Sequence, residues 1–312
     1  MRAALIQELG SAPRPGETGD PQGEVVEVLA APINPVDLAV ASGAYVAGHP
    51  PLPYVPGCEA VGRTADGRTV WIFGGGFGLA RDGGMAERAA VGNAVTVEVP
   101  AGADPALAAG LGIAGLAGWL PFAWRAPLRG GETVLVLGAT GSVGLVAVQA
   151  AKLLGASRVV AAGRDAERLE KAASLGADAT VQIGAVDDLA ASFREASGGE
   201  GPTYVFDALW GEPFAAAVQA AAPWATVVSL GQSAGPTAEL ASGPVRGKNL
   251  TIKGHFAFGV PEEVFAEHYP KLVRHGVAGE IRLDVERAAL DGVTDAWRRQ
   301  ASGEASKLVL VP

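Results

Sequence analysis

The sequence predicts an α/β protein in which a doubly wound parallel sheet is inserted into a β-rich domain. Three observations carry that reading. From Val134 onward, short apolar strands alternate with helical segments, the rhythm of parallel strands joined by crossovers. The first third instead strings strand-like runs between Gly, Pro and Asp, with few helical periods, as antiparallel, barrel-like domains do. A helical run, Pro261–Gly276, and a terminal strand, Lys307–Val311, close the chain. This tail is expected to return to the first domain. The β-rich domain would then span 1–120 and 256–312, with the parallel sheet in 121–255.

In the first third, Ala3–Ile6, Glu24–Ala30, Arg68–Ile72 and Ala86–Val91 have the length and residue types of strands. Ala106–Trp124 then runs 19 residues without a charge, close to the length that crosses a bilayer. Its glycines and Pro121 argue for a helix buried at a domain junction, and no membrane association is expected. The predicted parallel strands are Val134–Leu137, Arg158–Ala162, Thr180–Ile183, Tyr204–Asp207, Thr226–Leu230 and Leu250–Lys253. Between them fall helices such as Glu167–Leu175, stopped at Gly176, and Glu212–Ala222, stopped before Pro223.

Bulk properties narrow the class. A chain of 312 residues has room for two domains. Its net charge of −9, with acids and bases interspersed, repels phosphate backbones and disfavours nucleic acid. One cysteine, Cys58, excludes an internal disulfide and a cysteine-cluster zinc site. The first residues turn polar too soon for a signal-peptide core, so a cytoplasmic enzyme is expected.

The most specific motif is Val134–Gly144, an apolar strand running into a glycine-rich turn with helix-forming residues behind it. Ala139-x-Gly141-x-x-Gly144 has the spacing of a dinucleotide fingerprint with alanine in the first position. The glycines let backbone approach a ligand, and the following helix aims unpaired N–H groups at a pyrophosphate. After the second strand stands Gly163-Arg164-Asp165-Ala166-Glu167-Arg168. No acid awaits a ribose 2′-hydroxyl, Gly163 leaves room, and Arg164 and Arg168 lie one helical turn apart. That favours the extra phosphate of NADPH. The competing reading is a solvated helix start in which Asp165 and Glu167 neutralise both arginines.

These residues resemble the medium-chain dehydrogenase/reductases, in their zinc-independent quinone oxidoreductase branch. Ala31–Asp37, with its Asn34-Pro35-Val36-Asp37, is similar to that branch's Asn-Pro-x-Asp segment, and Ser42–Tyr45 to its Ser-Gly-x-Tyr. Pro56–Gly62, Gly83–Glu87, Leu175–Asp178, Asp207–Gly211 and Leu230-Gly231 match further motifs in order. The resemblance implies a GroES-like, β-rich barrel carrying an inserted Rossmann domain, a cleft site between them, and a homodimer. It also implies Ser142 and Val143 as backbone donors to the pyrophosphate, Arg168 on the 2′-phosphate, and Leu230 and Gly231 along the cofactor.

Departures matter as well. Where zinc-dependent relatives place three metal ligands, this chain has Asn34, Cys58 and, nearby, Ile113; no metal is expected. Val36 replaces their proton-relaying hydroxyl residue, while Ala39, Ala117 and Ile183 stand where branch members carry Tyr, Thr and Tyr. Without a Lewis acid, hydride transfer suits an acceptor that already delocalises charge, a quinone or an α,β-unsaturated carbonyl compound. Asn34 can offer an amide N–H to a carbonyl, and Tyr45 a phenolic donor and flat wall. Against these stand Asn34 as a turn residue before Pro35 and Tyr45 as a packed loop aromatic. No convincing general acid stands out, so a solvent proton is expected; His255, after the last sheet strand, is a weak candidate that reads rather as structural. The alternatives are an enoyl-thioester or pathway-specific reductase on the same scaffold, or a low-turnover NADPH-binding structural or regulatory protein.

Overall fold

The structure, a computed structural model, describes residues 1–303 and 306–312. Met1–Ala114, Val260–Gly279 and Leu283–Pro312 form one compact unit, and Gly115–Gly259 with Glu280–Arg282 form another.

The first unit is built on a seven-stranded mixed sheet. Its path runs Val285–Ala289, Lys307–Val311, Val25–Pro32, Glu59–Arg63, Thr69–Phe73 and Val95–Glu98, with Arg88–Ala90 also paired to the third of these. Val285–Ala289 and Lys307–Val311 pair in parallel, whereas their neighbours pair antiparallel. A ribbon of Arg2–Leu5 and Arg14–Glu17 joins through Ala3 opposite Ala86. In sequence Pro56–Gly62 resembles a turn, but from Glu59 it is a central strand. Gly62 hides that strand: a Cβ there would lie 2.8 Å from Val26 Cγ2 and 3.0 Å from the Glu27 carbonyl oxygen. Glycine marks such close backbone approach while weakening the strand signal.

The core of this unit is aromatic at one side. Trp71 stacks on Phe73 at 5.2 Å and on Tyr269 at 4.6 Å, with Phe265 edge-on at 5.8 Å. Phe265 and Tyr269 come from the helix Glu262–Val277, whose apolar face recurs at helical spacing with Leu272 and Val273.

The second unit holds six parallel strands in the order Ala179–Gln182, Arg158–Gly163, Thr133–Leu137, Tyr204–Asp207, Thr226–Ser229 and Thr251–Gly254. Val134 to Leu137 are wholly buried, as strands covered by helices on both faces must be. Sequence order reverses between Thr133–Leu137 and Tyr204–Asp207, the switch point beyond whose carboxyl ends doubly wound sheets bind ligands. The uncharged stretch is helical over Pro105–Arg125, long and apolar enough to cross a membrane, and most of it is buried within the protein. It breaks helical geometry at Gly112 (φ −64°, ψ −114°). One turn earlier, the Tyr269 hydroxyl donates to the Ala108 carbonyl at 3.1 Å.

Tyr269→Phe leaves that buried carbonyl without its side-chain donor. Unfolding in urea should show a loss of about 1–2 kcal/mol, with far-UV dichroism unchanged.

Candidate functional site

The strand Thr133–Leu137 ends at Gly138, which turns back at φ +82°. The N–H groups of Gly138 and Ala139 both donate to the Ala162 carbonyl at 3.0 Å, bolting the turn to the neighbouring strand. Ala139 is buried without exposure, so alanine serves where a backbone reversal needs no positive φ. The next two glycines do different work. A Cβ on Gly144 would lie 2.1 Å from the Gly138 carbonyl oxygen, so only glycine lets this helix pack so close to the strand. A Cβ on Gly141 would meet nothing nearer than 3.9 Å, which leaves its outer side open. No side chain caps the helix Ser142–Leu153, and the first bond back to the turn is Leu145 N–H to Gly141 at 2.9 Å. The earlier N–H groups of Ser142 and Val143 therefore have no capping side chain, as at helix starts that accept an anion.

At the end of the second strand the geometry corrects one inference. Gly163 is buried, and the space a Cβ would take is filled by Thr140, whose Cγ2 lies 2.4 Å from that position. The glycine makes room for Thr140, not for a ligand. Arg164 is exposed just beyond it. Asp165 caps the following helix by accepting from the Arg168 N–H at 3.0 Å, and its other oxygen lies 3.8 Å from Arg168 Nε. Both arginines thus stand at the mouth of the second crossover, with Arg168 partly shared.

Across the switch point, Asp207 organises the next turn. Buried without exposure, it accepts from Ser229 Oγ at 2.6 Å and from the N–H groups of Leu209 and Trp210 at 2.9 Å. Those bonds hold Trp210 at φ 58°, ψ −159°, a region nearly confined to glycine. Leu209 reaches over Gly138, and a Cβ on Gly231 would strike the Ala208 carbonyl oxygen at 2.3 Å. Gly231 therefore keeps the Leu230-Gly231 backbone against this turn.

In the first unit Asn34 changes role. It is 1% exposed; its Nδ2 donates to Glu59 Oε1 at 2.8 Å and its Oδ1 accepts from Lys307 Nζ at 2.5 Å. Sealed at 1% exposure, with its oxygen and one N–H engaged inside the unit, this amide is not presented to a substrate carbonyl, contrary to the expectation from sequence. Glu59 Oε2 takes the Trp71 indole N–H at 2.6 Å and the Ile113 N–H at 2.8 Å. Burial pushes Glu59 up to about 7 against the pull of Lys307 and these donors. Gly112 is obligatory beside it, since a Cβ would overlap Glu59 Oε2. The helix opens there so that Ile113 can turn its N–H to the carboxylate. Asp37 closes the cluster, accepting from the Asn34 N–H at 2.7 Å and the Cys58 N–H at 2.8 Å. Burial, then Asp37, holds the Cys58 thiol well above its usual range. Tyr45 is half-buried against this core, and burial raises its phenol.

The donor set does not suit a metal. Among the described residues no three His, Cys, Asp or Glu side chains converge, and the Lys307 ammonium is already bonded at Asn34. Nothing in composition or spacing points from Asn34 to Lys307. Thr140 and Asp207 are legible only once the strand ends are aligned.

Residues 142–274 match the family described as zinc-binding dehydrogenase. The chain is 29% identical over 314 residues to one of the phenolphthiocerol/phthiocerol polyketide synthase polypeptides of Mycobacterium tuberculosis, covering 94% of this chain but spanning only 14% of that protein. It is 30% identical over 255 residues to the quinone oxidoreductase-like protein 2 of Rattus norvegicus, covering 80% of this chain and 70% of that one. Mycobacterial Rv1454c, solved complexed with NADPH, superposes at a TM-score of 0.85 with 24% identity over 100% of both chains.

Glu59→Gln is nearly isosteric, yet it must turn an NH2 group toward Asn34 or toward Trp71 and Ile113, all donors. Removing the charge also leaves Lys307 buried beside a neutral group. Chemical denaturation should report a loss of about 3–5 kcal/mol.

Proposed function

We propose that this chain, which belongs to the medium-chain dehydrogenase/reductase family in its quinone oxidoreductase branch, is an NADPH-dependent reductase of quinones and α,β-unsaturated carbonyl compounds. The observation that carries the reading is the uncapped helix Ser142–Leu153 behind a turn whose Gly141 leaves an open face. At the end of the neighbouring strand stands Gly163 rather than an acid, with Arg164 and Arg168 just beyond it. An orphan row of N–H groups suits a pyrophosphate, and guanidinium forks suit the additional phosphate of NADPH. Rv1454c binding NADPH is consistent with that assignment.

Bound NADPH supplies the hydride; the acceptor takes both electrons, and a solvent proton completes its reduction. What the chain provides is position. Ser142 and Val143 hold the pyrophosphate, Arg164 and Arg168 the 2′-phosphate, and Leu230-Gly231 a flat backbone wall. We assign Tyr45 to contact the acceptor. The reaction is read as zinc-independent because a buried ammonium and amide stand in the first unit where a cation would need donors. One alternative has a specific observation behind it. The match to a polyketide synthase polypeptide favours an enoyl-thioester acceptor.

Steady-state NADPH oxidation with a quinone, a simple enone and an enoyl thioester, before and after chelation, separates these readings. Turnover with the first two that survives chelation supports the proposal. Preference for the thioester favours the alternative, and tight cofactor binding without turnover sinks both. Arg164→Ala with Arg168→Ala should raise KM for NADPH about 10–100-fold while changing KM for NADH less than about threefold. The reading also includes a homodimer along the exposed edge strand Thr251–Gly254, near Trp224, which is 75% exposed. Sedimentation should then give about twice 31.4 kDa.

A further inference from the structure

A cleft of about 420 Å³ opens in the first unit between residues 10–14 and the helix Val293–Ser302, a volume in the range that holds small organic ligands. Thr294, Trp297, Arg298 and Ala301 recur at helical spacing and turn one face of that helix to it. Ala12 and Ala301 give the lining an apolar part, together with Trp297, which is 6% exposed and belongs to the core. The loop opposite is held in place. The Gly10 N–H donates to the Ala41 carbonyl at 2.8 Å, and the Thr294 hydroxyl donates to the Pro13 carbonyl at 2.7 Å, which ties loop to helix.

The charge of this cleft runs against that of the chain. The protein has 33 acidic residues against 24 basic ones, yet Arg14 and Arg298 line the cleft and no acid does. Neither arginine has a carboxylate partner among the described residues. Elsewhere in the unit Arg2 holds Glu87, Arg287 holds Asp104, and Arg299, next along the same helix, holds Glu286. The other polar groups can donate as well. Ser11 brings its hydroxyl to the lining. The Trp297 indole N–H has no hydrogen-bond partner among the described residues and is not sealed from solvent, whereas a ring this deep usually finds one within the protein.

We propose that this cleft is a second ligand site, one that takes an organic phosphate monoester with a small apolar body. A phosphate monoester carries a charge of about −1.5 to −2 at neutral pH and three acceptor oxygens. Two unpaired guanidinium forks answer that charge, and each can take two of the oxygens. The apolar body is met by Ala12, Ala301 and the open edge of Trp297. An occupant bonded to both arginines would clamp residues 10–14 against the helix. All the lining residues belong to the first unit, and none lies in the nucleotide turn, so the site is independent of the reductase reading.

The test is calorimetry on the full chain in saturating NADP+, with phenyl phosphate, inorganic phosphate and benzoate as probes. One saturable site for phenyl phosphate is expected, with the other two probes each weaker by about tenfold or more. Arg14→Gln with Arg298→Gln should weaken phenyl phosphate by about 30-fold or more. Both side chains are exposed, so the unfolding midpoint of the unliganded double variant should match that of the wild type. Phenyl phosphate should raise the midpoint of the wild type and not of the variant. Arg164→Ala with Arg168→Ala should leave its affinity unchanged. No saturable binding, equal affinity for benzoate or inorganic phosphate, or an affinity that survives loss of Arg14 and Arg298 would overturn the proposal. So would an affinity lost with Arg164 and Arg168 instead, which places the probe at the nucleotide turn.

Discussion

A carboxylate sealed from water is the constraint on which the first unit depends. Glu59 has no exposed surface, and an ion taken from water costs several kcal/mol unless its neighbours answer it. Here the answer comes from segments far apart in sequence. Asn34 follows the strand Val25–Pro32, Trp71 lies in the strand paired beside Glu59, Ile113 in the long apolar helix, and Lys307 in the last strand. The break at Gly112 and the inward Asn34 amide both follow from the need to satisfy one charge. So does the depth of Lys307, at 2% exposure.

The nucleotide turn was legible because its physics is local. Apolar residues 134–137, a reversal and three small residues at fixed spacing constrain one another within a dozen positions, and the structure distinguishes their reasons. Gly144 is small for helix packing, Gly141 for an open face, and Ala139 for neither. Asn34 misled for the opposite reason. Beside Pro35 it offers an amide whose partners, Glu59 and Lys307, are 25 and 273 residues away. No periodicity links them. Gly163 misled because its empty side faces Thr140 within the protein, and a sequence shows that a side chain is missing but not what takes its place.

Secondary structure failed where glycine or short length blurred the period. The strand Glu59–Arg63 carries Gly62 at its tightest crossing, and Val285–Ala289 is a polar edge strand whose exposed positions give no alternating signal. By contrast the four inner strands of the second unit stood out, because burial on both faces demands uninterrupted apolar runs. Within that unit, strain gathers beside the switch point. Asp207 Oδ1 accepts from the Leu209 and Trp210 N–H groups, and Ser229 Oγ anchors its other oxygen; these bonds hold Trp210 where a side chain is disfavoured.

Lys307 has a consequence for how the molecule is made. Translation completes Gly115–Gly259 as one continuous stretch, so the parallel sheet can settle while the ribosome is still at work. Glu59 emerges early but has no counter-ion until the segment carrying Lys307 has cleared the exit tunnel. Until then Glu59 can stay in water, and the β-rich part can seal it only when the last strand joins.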